Sequence, residues 1–415
     1  MEERAHLYWA TTSGQELLAL VKVCAAHEQF DHSATVLSLK KKHPDLPSEK
    51  VSEAVGIVLA QSSALKKDLG AWAQAGLFTK QGLEQATHPA IADHHAHQFA
   101  GLQHVLEICT GAGFDTAALA RVATQVTSIE ADPQLAQMAE HNLKLQGVEN
   151  CKIIVGKAEA ALGNLDLNQF DGIWCDPSRR DKEGRRVKAS AYYSPSLDFF
   201  FNLPFEGLMG IKVSPGLRLP ETPRGWIKEW VGYKHECREQ LLWHSTAGQD
   251  AAIQDNTVTL VASAESLVSQ WRPQYDSSDP QVAPLSAVEG AYLIEPHKAL
   301  VRCDAMGSFF QEHTFALLDE QIAYGVCSTP PASSSFYTVF KIIEAFPFNL
   351  KQLNQRLRAL EWDRLSEVKK RGFPETTDAL RKKIAFAPQS STSVAGTVIV
   401  TRLQDKHHLF LTRRI

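Results

Sequence analysis

Cysteine is sparse in this chain. Its 415 residues hold seven, at positions 24, 109, 151, 175, 237, 303 and 327, an odd number with no CxxC pair. Scattered in this way they imply neither a disulfide framework nor a cysteine-bound zinc site, and they read as small buried side chains. Long apolar runs are also missing. No stretch approaches the roughly 20 residues needed to cross a bilayer, and MEERAHLYWATTSG at the amino terminus lacks a charged-then-apolar signal pattern. A cytoplasmic protein with no membrane association is expected. Net charge is only -4, which by itself points neither toward nor away from a polyanionic partner. Its distribution is uneven: residues 351–415 carry 14 Lys and Arg against 6 Asp and Glu, so this tail is near +8 and the rest near -12. With 44% hydrophobic residues the chain can bury cores for two or three domains.

Residues 1–98 are expected to be helical. LLALVKVCAAHE and SEKVSEAVGIVLAQSSALKKDLGAWA carry apolar residues at three- and four-residue spacings, and HPDLP breaks the chain between them. The end of this region holds histidines at 88, 94, 95 and 97. His94 and His97, with Asp93, imitate a metal site on one helix face. The alternative is a solvated polar surface, and no metal is expected because no further ligand at fixed spacing supports one.

From residue 99 to 269 short strands and helices alternate, the pattern of an α/β doubly wound parallel sheet. The expected strands are HVLEI, VTSIE, CKIIVG, FDGIWC and GLMGIKV, followed by a helix near WIKEWVG and a closing pair of strands, REQLLWHS and TVTLVAS. Residues 270–289, rich in proline, serine and aspartate, read as a linker. Residues 290–415 read as an α+β region with strands at AYLIEP, IAYGVCS, FYTVFKIIEAF, LSEVKKRGF, GTVIVTRLQ and HHLFLTRRI and helices at NLKQLNQRLRALEW and TTDALRKKIAF.

The most informative stretch is VLEICTGAGFDTAALARVATQVTSIE, residues 105–130. It reads as strand, glycine turn, helix and a second strand ending on an acid, a nucleoside-binding βαβ unit. Gly111 and Gly113 let the backbone turn tightly and approach a ligand, while Glu130 lies far enough along to reach a ribose. A dinucleotide site normally spaces three glycines as GxGxxG so that a pyrophosphate can sit on the helix N-terminus. Here the segment is ExCxGxG. Glu107, at the mouth of the first strand, would repel a pyrophosphate but suits a ligand with an ammonium group. S-adenosylmethionine (AdoMet) has that ammonium, a sulfonium and no phosphate.

Here the sequence resembles the class I, Rossmann-like AdoMet-dependent methyltransferases, with Glu107, Cys109, Gly111 and Gly113 on motif I. The resemblance implies a sheet of parallel strands with a closing antiparallel pair, a glycine turn under the methionine and ribose, and Glu130 on the ribose hydroxyls. Asp115, directly after the turn, joins these as a cofactor contact. Glu159 falls where the fold usually meets the adenine amino group, or is a solvated turn. Gln85 and Thr87, in LEQATHP, either fold over the methionine end of AdoMet or only begin a helix. Over the whole chain, LKKDLGAWAQAGLFTKQGLEQAT, DPSRR, EVKKRGF and TVIVTR look like the bacterial branch that carries a ferredoxin-like, THUMP-like C-terminal region.

Strand four runs into Asp176-Pro177-Ser178-Arg179-Arg180. At the C-terminal edge of a doubly wound sheet these side chains should face the methyl group. In amino-group methyltransferases an acid or amide, two prolines and an aromatic hold the target nitrogen. This chain keeps Asp176 and Pro177, the expected catalytic pair, but has Ser178 and Arg179 in the later places. Arg179, Arg180, Arg185 and Arg186 are expected to hold an anionic substrate, and Tyr192 and Tyr193 to stack on a base. Alternatively the arginines pair with Asp181 and Glu183 in an exposed loop. Between residues 179 and 188 six basic side chains face two acids. The leading expectation is therefore a methyltransferase acting on RNA, ribosomal or transfer. A methyltransferase for a protein or small anionic metabolite, and a non-catalytic AdoMet-binding protein, are the alternatives. Oligomeric state is not legible.

Overall fold

The computed structural model describes residues 8–25, 31–66, 69, 72–179, 193–219, 223–245, 254–262, 268–274, 281–283, 288, 290–303, 305–389, 394–403 and 405–415. The chain divides into two units: residues 1–228, 240–253 and 261–267 form the first, and 229–239, 254–260 and 268–415 the second. No described helix is long and apolar enough to cross a membrane.

The first unit begins with six helices: α1 (Thr12–Ala25), α2 (His32–Lys42), α3 (Ser48–Lys66), α4 (Trp72–Ala75), α5 (Lys80–Gln85) and α6 (Pro89–His97). There follow β1 (His104–Ile108), α7 (Phe114–Val122), β2 (Gln125–Glu130), α8 (Pro133–Leu145), β3 (Cys151–Val155), α9 (Ala158–Leu162), β4 (Gly172–Cys175), a short pair β5 (Ser178–Arg179) and β6 (Tyr193–Ser194), α10 (Leu197–Phe201) and β7 (Leu208–Val213). Strands β3, β2, β1, β4 and β7 lie side by side in that order, all parallel. Next to β7 lies β9 (Glu236–Ser245), running antiparallel to it with Leu208 opposite Ser245, and β8 (Trp226–Tyr233) follows β9 in the sheet.

Local chemistry sets these boundaries. Asp132 caps α8 by accepting from the Gln134 and Leu135 N–H groups, Pro133 occupies its first turn, and Gly147 ends it at φ 69°. The helical layer is held by apolar contact: Ala60, Ala64, Trp72, Phe78 and Leu83 pack with Phe114, Ala117, Ala139 and Leu143 of α7 and α8. The ring of Trp72 stacks on Phe114 at 4.2 Å. One expectation fails here. WIKEWVG is strand β8, not a helix. Its Trp230, Val231 and Tyr233 are all buried, and a short apolar run rich in aromatic and β-branched residues suits a covered strand as well as it suits a helix.

After β10 (Thr257–Val261) and β11 (Val268–Trp271), the second unit holds β12 (Tyr292–Pro296), α11 (Lys298–Arg302), α12 (Met306–Glu312), β13 (Ala316–Asp319), β14 (Ile322–Cys327), β15 (Tyr337–Pro347), α13 (Leu350–Ala359), β16 (Glu367–Arg371), α14 (Thr377–Lys383), β17 (Thr397–Leu403) and β18 (Lys406–Arg414). Seven strands form one sheet in the order β13-β14-β12-β15-β18-β17-β16. Alternation along the strands separates two cores: Val398, Val400, Leu409 and Leu411 face Leu353, Leu357 and Leu380, whereas Ile399 and Phe410 join Leu293, Tyr324 and Phe340.

Candidate active site

The turn after β1 is wound tightly. Cys109 sits at φ 73°, Gly111 at 55° and Gly113 at 89°, and Gly113 is the N-cap of α7. The Cys109 and Thr110 N–H groups both donate to the Ile129 carbonyl, at 2.9 and 3.2 Å, which ties the turn to the end of β2. A Cβ on Gly111 would meet no atom within 4 Å. Its glycine is required by the left-handed backbone, and its open side lies toward a cavity. At the end of β2, Glu130 accepts from the Gly111 N–H at 2.9 Å through one oxygen and from the Asp132 N–H at 3.0 Å through the other. A carboxylate has about four lone-pair sites, so acceptor capacity remains on a side chain that borders the same cavity.

That cavity, about 440 Å³, lies within the first unit. Gln85, Thr87, Cys109, Gly111, Asp115, Glu130, Glu159, Asp176, Pro177 and Arg179 all border it. So do Phe78 and, from the β6 segment, Ser194 and Pro195, which the sequence reading did not single out. The short β5–β6 pair brings them there, with Ser178 opposite Ser194 and Arg179 opposite Tyr193. Four acids line the cavity, Asp115, Glu130, Glu159 and Asp176, against the bases Lys157 and Arg179. Such a wall suits a ligand with net positive charge and no phosphate.

A chain of buried polar side chains backs one wall. Lys212 donates from Nζ to Asp176 Oδ2 at 2.7 Å and to Thr87 Oγ1 at 2.8 Å. Thr87 in turn donates to Asp115 Oδ2 at 2.5 Å, and Asp115 Oδ1 lies 2.7 Å from His95 Nδ1. The imidazole of His95 stacks on Trp174 at 4.3 Å between ring centres. Burial pushes the Asp176 carboxyl above its ordinary pKa, more than offsetting the pull of Lys212. Burial pushes Asp115 the same way, but His95, with help from Lys212 and Thr87, prevails and holds it below the usual carboxylate value. Neither Lys212 nor His95 was expected at the site. A lysine inside the otherwise apolar GLMGIKV was the available signal for the first.

Several expectations need correction. The histidines of α6 do not share one solvated surface: His95 is 0% exposed and His94 5%, whereas His97 is exposed. Among the described residues no group of three or more His, Cys, Asp and Glu side chains is arranged to hold a metal ion. Glu107 does not border the cavity where an ammonium group would be met. It is 1% exposed, accepts from Thr116 and Ser128, and burial pushes its carboxyl up to about 8. In a strand successive side chains face opposite ways, and Glu107 points away from the side that its neighbour Ile108 gives to the cavity. Gly113 serves the start of α7 rather than the cavity wall. Tyr193 cannot stack on a base: it is 4% exposed, packed in the core with Leu197 and Phe200, and its hydroxyl accepts from the Ser214 N–H at 2.8 Å. Thr87 uses its hydroxyl inside the polar chain, so it acts on the cavity through Asp115 and Lys212. Arg180, Arg185, Arg186 and Tyr192, with Asp181 and Glu183, lie outside the described residues.

Residues 105–185 match the family model of a methyltransferase domain, and residues 337–414 that of a THUMP domain-like unit. An uncharacterized S-adenosylmethionine-dependent methyltransferase of Mycobacterium tuberculosis is 28% identical over 335 residues, which span 79% of this chain and 85% of the relative. A protein-L-isoaspartate O-methyltransferase of Syntrophobacter fumaroxidans is 44% identical over a shorter stretch of 73 residues, 18% of this chain and 33% of that protein. The crystal structure of a candidate methyltransferase from Porphyromonas gingivalis superposes with a TM-score of 0.73 at 21% identity, covering 96% of this chain and 98% of that one, which establishes a shared fold. Domain matches, relatives and fold agree with the glycine turn and the acid at the end of β2: the chain is a class I AdoMet-dependent methyltransferase with a THUMP-like C-terminal domain.

Proposed function

We propose that this methyltransferase acts on RNA, at a base of ribosomal or transfer RNA. The observation that carries the reading is the meeting of Glu130, Asp176 and Arg179 on one cavity. AdoMet, when bound, supplies an electrophilic methyl group on its sulfonium. Glu130 would hold the ribose hydroxyls with the acceptor capacity left by Gly111 and Asp132, while Cys109 and Gly111 form the wall beneath. Glu159 would border the adenine and Gln85 the methionine end.

Asp176 faces the acceptor. It accepts a hydrogen bond from the incoming N–H and takes the proton that the nitrogen loses as its new bond to carbon forms. Positioning and desolvation account for most of the rate, with Pro177 shaping the turn that aims the carboxylate. Arg179 presents a planar fork to a phosphate oxygen pair. RNA is favoured by the six basic residues between 179 and 188, by the basic tail from 351 to 415, and by the THUMP domain-like match over residues 337–414.

A second reading, methylation of a protein, is supported by the short match to a protein-L-isoaspartate O-methyltransferase, with Arg179 then holding a carboxylate. Nucleoside mass spectrometry separates the two. RNA from cells lacking the protein should miss one methylated nucleoside, which purified protein and AdoMet restore. An unchanged nucleoside profile would refute the RNA reading.

A further inference from the structure

Lys212 is an expensive residue to place where it is. It lies on β7 between Ile211 and Val213, both fully covered, and is itself 6% exposed. Removing an ammonium group from water is unfavourable unless opposite charge compensates it. Compensation comes from two acids on separate elements: Asp176, in direct contact at 2.7 Å, and Asp115, reached through Thr87. The parallel register of β4 and β7, with Cys175 opposite Ile211, carries Lys212 alongside Asp176.

The pairing is one-sided. Of the two Asp176 oxygens Lys212 contacts Oδ2, and Oδ1 has no hydrogen-bond partner among the described residues although Asp176 borders the cavity. Lys212 is absent from the cavity wall while both Thr87 and Asp176 belong to it. The lysine thus grips the carboxyl from behind.

We propose that Lys212 is a positioning residue for methyl transfer: its ammonium group clamps Oδ2 of Asp176 and so presents Oδ1 to the acceptor as a hydrogen-bond acceptor. The inference rests on the reading of Asp176 as the group that faces the acceptor, but not on RNA as the substrate. It narrows the acceptor chemistry to a group that brings a hydrogen-bond donor, such as a ring or exocyclic N–H. Among the described residues, the ionisable groups that act electrostatically on Asp176 are Lys212 from β7, Arg179 from β5, Asp115 from α7, Glu107 and Cys109 from β1 and its turn, Cys175 from β4 and Tyr193 from β6. Among these Lys212 is the largest influence favouring the charged carboxylate. Its charge therefore also decides how far into the acid range Oδ1 stays an acceptor.

The test uses the full chain as wild type, Lys212→Gln and Lys212→Met. AdoMet with a tritiated methyl group is supplied together with a total extract of cells lacking the protein, which offers nucleic-acid, protein and small-molecule acceptors at once. AdoMet affinity is followed by calorimetry in parallel. Both variants should bind AdoMet within about 3-fold of wild type, because the clamp lies behind the acceptor-facing group rather than on the cofactor. The initial rate at saturating AdoMet should fall roughly 100-fold in Lys212→Met. Lys212→Gln should lose less, since its amide N–H can still donate to Oδ2. In both, the acid limb of the pH–rate profile should move to higher pH by about 1 to 3 units, the effect of removing one adjacent opposite charge. A merely structural ion pair would lower thermal stability and leave the profile of the folded protein in place. If Lys212→Met does not fold, Lys212→Gln carries the comparison alone. An unchanged rate and acid limb in Lys212→Gln, or a loss that only follows weaker AdoMet binding, overturns the proposal. Label found in protein rather than RNA overturns the RNA reading, and the role of Lys212 is then judged on that protein acceptor by the same rates.

Discussion

Glu130 and Asp176 border one cavity, yet their substitutions should part company. Glu130→Ala removes the acceptors meant for the ribose hydroxyls and the tie to the Gly111 N–H, so AdoMet affinity measured by calorimetry should fall at least about 10-fold, hydrogen bonds to a charged group being worth about 1.5–3 kcal/mol. Asp176→Asn should leave that affinity within about 3-fold and lower the transfer rate by roughly 10² to 10⁴. The Asp176 carboxyl is raised by burial, so transfer should rise with pH through a midpoint above the ordinary carboxylate value, where the acceptor form appears. Glu107 gives a separate pH signature, in stability. Its folded-state value, about 8, exceeds the 4.5 of an unperturbed glutamate, so the native state holds a proton that the unfolded chain has released. Its stabilising contribution is complete below about pH 4.5 and is lost as pH rises toward 8. Glu107→Gln should flatten that decline, by a few kcal/mol at most, in denaturant titrations at pH 6 and pH 8. An identical pH dependence in the two proteins would remove Glu107 from the explanation.

Among the elements, the β1-turn-α7-β2 unit was legible because its signals are local. Apolar strands, glycines at positive φ and an acid at the strand end all lie within residues 105–130. The α8 boundary was legible for the same reason. Asp132→Ala should destabilise the protein by about 1 kcal/mol through loss of the cap on Gln134 and Leu135, read as a lower denaturation midpoint. What could not be read is what long-range contact decides. Thr87 and Lys212 are 125 residues apart, and Lys212 and Asp176 are 36 apart. Nothing in the pattern around Lys212 says which acids it meets. The burial of His95 depends on Trp174, brought against it by the packing of α6 on the sheet, so the same histidine run fitted a wet surface until that neighbour was known. WIKEWVG misled because apolar spacing in so short a run fits strand and helix alike.

For the whole molecule the charge asymmetry matters most. Residues 351–415 hold 14 basic side chains against 6 acids, and among them Arg413 and Arg414 at the end of β18 are exposed. If the tail engages a nucleic-acid backbone, replacing both with Gln should weaken RNA binding across sequences and reduce the salt dependence of log affinity by about 1 to 2, with AdoMet affinity unchanged. An unaltered salt slope would assign RNA contact elsewhere. Asp176 joins the cofactor cavity to the proposed substrate class, and one assay tests that link most directly. Wild-type protein and Asp176→Asn are each given tritiated-methyl AdoMet and RNA from cells that lack the protein, and the digested nucleosides are separated. Wild type should label a single nucleoside, and the variant, binding AdoMet as tightly, should leave the RNA unlabelled. RNA that stays unlabelled with wild type, or is labelled equally by both, would contradict it.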